Sequence, residues 1–208
     1  MDNQRPQTPA QAWKAMQAGN HRFVSDTTEH PNQDVDRRTS LAAAQVPFAA
    51  LFGCADSRLS AEIIFDVGLG DLFVVRNAGQ VSSETILGSL EYAVEVLNVP
   101  LILVLGHDQC GAIRAAIDSS EGKLAAKGLY IHAIVAAIEP TVRKANLEGV
   151  SSINEVTELH IKDTIDEIVS KSKIVSDAVA AAKLAVVGAN YSLLAGEVNP
   201  IVVVGNVE

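Results

Sequence analysis

Three short apolar runs, at residues 46–53, 72–75 and 101–105, constrain this chain more than any other feature. Each is too short for a buried helix and reads as a strand covered on both faces. Between the second and third, residues 83–97 place Ile86, Leu87, Leu90, Ala93, Val94 and Leu97 on one side of a helical repeat and Glu84, Glu91 and Glu95 on the other. Strand, amphipathic helix and strand at this spacing form a βαβ unit, which requires parallel pairing and helices packed on the sheet. The expected class is α/β, with a mostly parallel central sheet and flanking helices.

Further helices are predicted over 111–117 and 129–145, and a capping box of Ser152 and Glu155 opens another that runs to about residue 170. Strands over 184–187 and 201–204 end the pattern, and Gly68-Leu69-Gly70 reads as a turn before the second strand. Residues 1–45 show no strand pattern, but Ala12, Trp13, Met16 and, after a turn at Gly19, Phe23 recur at helical spacing. The 208 residues therefore divide into an N-terminal helical arm, 1–45, and a single α/β domain, 46–208. The stripe of Trp13, Met16 and Phe23 on an otherwise polar arm predicts packing on a partner subunit.

Charge narrows the partners. Asp plus Glu number 25 against 16 Lys plus Arg, a formal net charge of −9 that repels phosphate backbones and argues against nucleic acid. With 48% hydrophobic and only 20% charged residues the chain can build a large core. Its longest apolar stretches fall well short of the roughly 20 residues a membrane span needs. The first residues show neither a basic start nor an apolar run with a cleavage site, so a cytoplasmic protein is expected. In a reducing compartment the two cysteines, Cys54 and Cys110, read as thiols or metal ligands rather than a disulfide.

Cys54 follows the first strand directly, and Gly106-His107-Asp108-Gln109-Cys110-Gly111 follows the third. Ligands of open parallel sheets bind beyond the carboxyl ends of the strands, so two segments deliver two thiols and one imidazole to one place. Zinc accepts such donors tetrahedrally, and three protein ligands leave a fourth position for water, as in catalytic rather than structural sites. Cys110 also precedes a predicted helix start, where the helix dipole favours a thiolate. Asp56 and Arg58 stand in the same loop as Cys54. Their pairing keeps Asp56 ionised and oriented, able to accept a hydrogen bond from metal-bound water. His21, His30, His132 and His160 have no second ligand at suggestive spacing and read as surface or helix residues, and the acidic residues between Glu155 and Glu167 as a solvated helix face.

The strings Cys54-Ala55-Asp56-Ser57-Arg58 and Gly106-His107-Asp108-Gln109-Cys110-Gly111 resemble the two zinc-site motifs of the β-class carbonic anhydrases. Phe73-Val74-Val75-Arg76-Asn77-Ala78-Gly79 and Glu91-Tyr92-Ala93-Val94 are also similar to that family, and the resemblance is strongest from about Gln45 to Ala116. It implies zinc held by Cys54, His107 and Cys110, a dyad of Asp56 and Arg58, and reversible hydration of CO2 to bicarbonate by zinc-bound hydroxide. It also implies an added C-terminal antiparallel strand and an obligate homodimer or higher oligomer. Gln45 lies where the plant-type enzymes carry a substrate-contacting glutamine, and Phe73, Ala78 and Gly111 match pocket positions. Leu51 stands three residues before Cys54, where the bicarbonate-inhibited subgroup has Trp, so the likeness is to the plant-type, open-site subgroup. Two other readings of the same residues stay open: a non-enzymatic zinc or redox-sensing module, and a carbon disulfide hydrolase on the same fold.

Overall fold

Parallel pairing on both sides of the first apolar run organises the molecule. In the computed structural model, which describes residues 5–123 and 128–208, that run becomes β1 (Ala49–Cys54), flanked by β2 (Leu72–Asn77) and β3 (Leu101–His107). Strand β4 (Ala185–Tyr191) joins β3 in parallel and β5 (Val198–Val204) joins β4 antiparallel, so the order is β2-β1-β3-β4-β5. Every residue of β1 and β3 is buried, as strands covered on both faces must be. Pro200 sits in β5, an edge strand, where a missing N–H is tolerated.

Alternate side chains build two cores. Ala50, Phe52, Ile102, Val104 and Val186 face one side, covered by α4 (Glu84–Glu95), α8 (Lys173–Ala180) and Ile161, Ile165 and Ile168 of α7 (Ile153–Lys171). Leu51, Leu101, Leu103, Leu105 and Val187 face the other, under α1 (Pro9–Val24), α3 (Ala61–Ile64), α5 (Gly111–Ser120) and α6 (Leu129–Leu147). The expected capping box is present: Glu155 N–H donates to Ser152 Oγ at 3.3 Å and the two side chains hydrogen-bond to each other. The acidic face of α7 differs from the expectation. Asp163 accepts from Thr141 Oγ1 and Lys144 Nζ, both at 2.7 Å, and Glu167 accepts from Ser82, so these carboxylates dock α7 on its neighbours. The short helices α2 (Val35–Ser40), α3 and α8 were not foreseen.

The N-terminal helix departs from the sequence expectation twice. It runs unbroken through Gly19, because the absent side chain is what lets α1 lie against α3: a Cβ there would fall 1.8 Å from the Phe65 carbonyl oxygen. And its apolar stripe is covered by its own chain, with Trp13 and Met16 buried in the core beside Ile64 and Phe65. Polar contacts fix the seating. Asn20 Nδ2 donates to the carbonyls of Ile64 (3.1 Å) and Gly196 (2.8 Å), and its Oδ1 accepts from Val198 N–H at 2.9 Å.

The second clamp is Asp66, whose side chain is fully buried. Burial alone would push this carboxyl up, but the N–H groups of Glu29 and His30 and the Arg22 guanidinium all donate to it and together hold it below the usual carboxylate range. A carboxyl depressed in the folded state contributes stability above its unfolded value of about 3.9 and loses it as pH falls towards the folded value. Asp66→Asn is therefore expected to cost about 2–3 kcal/mol at pH 7, with the deficit constant down to about pH 5 and shrinking below about 4. Urea unfolding of both proteins between pH 7 and 3 checks this; a deficit that does not change with pH contradicts it.

Candidate metal centre

From β1 the chain goes on to β2 on one flank of the sheet, and from β3 it goes on to β4 on the other flank. Adjacent parallel strands whose connections diverge leave a crevice at their carboxyl ends, and β1 ends at Cys54 and β3 at His107. Cys110 follows two residues after Asp108 as the N-cap of α5. The two thiols and the imidazole are buried, and their ligand atoms lie within 4.8 Å of one another.

The donor set fits a soft or borderline cation. His107 Nδ1 lies 2.8 Å from the Asp108 carbonyl, which only accepts, so Nδ1 carries the proton and Nε2 presents a lone pair. That Nε2 is buried with no hydrogen-bond partner and lies 3.9 Å from Asp56 Oδ2. A lone pair facing a carboxylate in a dry site is costly unless a cation stands between them. The sulfurs add to the demand. A hydrogen bond from Cys110 holds the Cys54 thiol well below its ordinary range, and the same pairing together with burial pushes Cys110 up. Both sulfurs can be thiolates at once only beside a cation, and a soft or borderline divalent metal suits such a donor set. Among the described residues no fourth His, Cys, Asp or Glu joins the cluster.

Side chains from three segments hold the loop after β1. Asp56 Oδ1 accepts from Arg58 N–H (3.0 Å) and Nε (2.8 Å), and Oδ2 from the terminal guanidinium nitrogen (2.7 Å). This fork keeps Asp56 far below the usual carboxylate range. Arg76, at the end of β2, donates to the carbonyls of Cys54 (2.9 Å) and Asp56 (2.7 Å). Asn77 closes the turn over residues 77–81 by exchanging hydrogen bonds with the Val81 backbone. Within that turn Gly79 N–H donates to Cys54 Sγ at 3.4 Å, and His160 Nε2 bonds the Gly79 carbonyl at 2.9 Å.

Other expected site residues fall differently. Gly111 is the first residue of α5, and a Cβ on it would meet nothing within 4 Å, so open space lies in front of that helix end. Ala78 is exposed beside Gly79. Phe73 pairs with Ala50, low on β1, and its ring packs near Tyr92 on the α4 side (centroids 6.0 Å apart). Gln45 is exposed just before Pro47 and Phe48, at the amino end of β1. Neither Phe73 nor Gln45 approaches Cys54 of its own chain. Sequence reasoning assigned no role to Arg76, Asn77 or His160. His160 is on a helix as expected but buried, on the same stripe as Val156, Thr157, Ile161 and Thr164, and that helical period was the available signal.

Fold and cluster together define an α/β protein with a buried Cys2His cluster, able to hold a metal ion, at the carboxyl edge of a mostly parallel sheet. The carbonic anhydrase family profile matches residues 49–198. Carbonic anhydrase 2 of Mycobacterium tuberculosis is 49% identical over 186 residues, which cover 89% of this chain and 89% of that protein. Among solved structures, the β-carbonic anhydrase of Coccomyxa in complex with acetazolamide matches with a TM-score of 0.70 at 28% identity, over 80% of this chain and 78% of that one. One of two tetrameric β-carbonic anhydrases from Sordaria macrospora shares the fold, with a TM-score of 0.70 at 22% identity over 79% and 85%. The chain belongs to the β-carbonic anhydrase family.

Gly79 gives a direct test of the site's packing. It adopts φ +76°, and a Cβ there would lie 2.7 Å from Ala112 Cβ and 3.0 Å from Ile138 Cδ1. Gly79→Ala is expected to lose about 1–3 kcal/mol in thermal or urea unfolding. Gly111→Ala, which has open space and no positive φ, should stay within about 0.5 kcal/mol of the parent.

Proposed function

We propose that the chain is a zinc-dependent carbonic anhydrase, a lyase interconverting CO2 and bicarbonate with release of a proton. The observation that carries this reading is the partnerless, buried Nε2 of His107, set between two thiols and facing the carboxylate of Asp56. Cys54, His107 and Cys110 would hold the metal. Zinc bound there supplies the Lewis acidity that makes water a nucleophile near neutral pH. Cys54 and Cys110, as thiolates, balance the charge of a divalent ion. Asp56 offers Oδ2 at the open side of the cluster as a hydrogen-bond acceptor and so orients the attacking water. Arg58 fixes the carboxylate in that direction and keeps it ionised at working pH. The Gly111 N–H, at the start of α5, would stabilise negative charge growing on the CO2 oxygens. The released proton passes to solvent.

Asp56 is gripped by Arg58 and is not itself one of the clustered ligand groups, which supports the plant-type, open-site subgroup. A purely structural or redox role for the thiols leaves this oriented, ionised dyad without a purpose. The chain would act as a homodimer or larger homo-oligomer, as the tetrameric fungal relatives do. A place for Gln45 or Phe73 in the pocket then requires a second copy of the chain, since neither reaches its own cluster. No described helix is long and apolar enough to cross a membrane, and cytoplasmic action is part of the proposal.

X-ray absorption on the purified protein should show one zinc per chain with two sulfurs and one imidazole nitrogen, and Cys110→Ser should lose the metal. Stopped-flow CO2 hydration should vanish on chelation and return with zinc. Asp56→Asn, with zinc content unchanged, should lower kcat/KM about 10- to 100-fold. Unaltered hydration in Asp56→Asn removes the dyad from the mechanism, and a metal-replete protein with no hydration refutes the enzyme reading.

A further inference from the structure

Gly79 is pinned at both of its backbone groups. Its N–H donates to Cys54 Sγ at 3.4 Å, and its carbonyl accepts from His160 Nε2 at 2.9 Å. A carbonyl oxygen only accepts, so Nε2 must carry the ring proton. Burial also lowers the tendency of this imidazole to protonate, which leaves a neutral donor. His160 stands 81 residues from Gly79 in the chain and reaches it from the buried stripe of α7.

The cost of this arrangement argues for a purpose. A buried imidazole loses its hydration, whereas Leu or Met on the same stripe would fill space without that loss. Among the described residues the ring's one hydrogen bond is to Gly79 O. Gly79 needs such an anchor, since at φ +76° and with no side chain it is held only by its neighbours. The Asn77–Val81 pair closes the turn but leaves the Gly79 carbonyl to be fixed from outside it. At the other end, Cys54 is 5% exposed, so its sulfur depends on protein donors instead of water. An N–H donor to a buried thiolate withdraws charge from the sulfur and orients it.

We propose that His160 is a positioning residue of the metal centre: by holding the Gly79 carbonyl it aims the Gly79 N–H at the Cys54 sulfur and so sets that sulfur's donor strength towards the metal. The inference rests on Cys54 being a metal ligand. Ligand strength is thereby tuned from α7 through the backbone of Gly79, whose two polar groups separate His160 from Cys54.

The test uses the full-length protein loaded with cobalt(II) or zinc, with His160→Leu and His160→Gln as variants. Loss of the ring donor in His160→Leu should move the thiolate-to-cobalt charge-transfer absorption to lower energy, as a sulfur richer in charge requires, and, because the sulfur is no longer held in position, speed zinc loss to a chelator about tenfold or more. His160→Gln, whose amide can donate to the same carbonyl, should restore most of both. Nitrogen-15 NMR of the wild-type ring at neutral pH, which needs no variant to fold, should show the neutral Nε2–H tautomer. A His160→Leu protein with the wild-type cobalt spectrum and zinc-release rate overturns the proposal even if it melts at lower temperature, because mere packing would do the same. A wild-type ring protonated at Nδ1 instead of Nε2 overturns it independently. If wild-type cobalt protein shows no thiolate charge transfer at all, ligation by Cys54 is itself refuted, and the role of His160 falls with it.

Discussion

Strand β1 is hydrogen-bonded in parallel to β2 on one side and β3 on the other, and the chemistry depends on that double pairing. Parallel strands all present their carboxyl ends at one edge of the sheet. Because the connection from β1 runs to one flank of the sheet and that from β3 to the other, a crevice opens between Cys54 and His107, with the 77–81 turn packed at its edge. Cys110 comes along as the residue that ends the short loop and caps α5. A shift of either strand by one residue would turn its last side chain to the other face. The fully buried β1 and β3 resist such a shift, since each residue fits one of two dry cores. Hydrophobic packing well below the site thus sets the ligand spacing at its top.

Around this frame, polar side chains act mostly on backbone. Arg76 spans two carbonyls of the Cys54–Asp56 segment, Asn77 locks the following turn, and Asp108 accepts from the Leu193 N–H to hold the loop after β4 against the loop after β3. These bonds restrain segments with no regular ladder of their own. The dyad differs in kind. Arg58 grips the Asp56 carboxylate in a fork and leaves it ionised, so the negative charge at the pocket mouth is directional. The turn holding Gly79 links the two systems, since one face of it meets the Cys54 sulfur and the other meets α7.

The N-terminal helix shows how close contact can override local preference. Glycine inside a helix costs about 1 kcal/mol relative to alanine, and at Gly19 a turn was the natural reading. The cost is offset where α1 meets α3: the backbone contact at Phe65 excludes any side chain, and Asn20, one residue on, bonds both Ile64 and the β4–β5 connection. Trp13 and Met16 then find their apolar surroundings within the chain, in the same core as Leu101 and Leu103.

Periodicity and strand-end placement made much of the protein legible beforehand. The apolar runs declared β1, β2 and β3 to within a few residues, the repeat of Ile86, Leu90, Ala93 and Val94 declared α4, and the strand-end placement of two thiols and an imidazole declared that they would meet. These are local signals, carried by neighbours along the chain and by the rule that buried backbone must be paired. Tertiary structure alone decided the rest. The seating of α1, the burial of His160 and its bond to Gly79, the grip of Arg76 on the Cys54 loop, and the distance of Gln45 and Phe73 from their own cluster all depend on which surfaces meet across long sequence separations. A side chain's type states what it can donate or accept, but which partner it finds is settled only when the sheet register and helix packing bring distant segments within about 3 Å of each other.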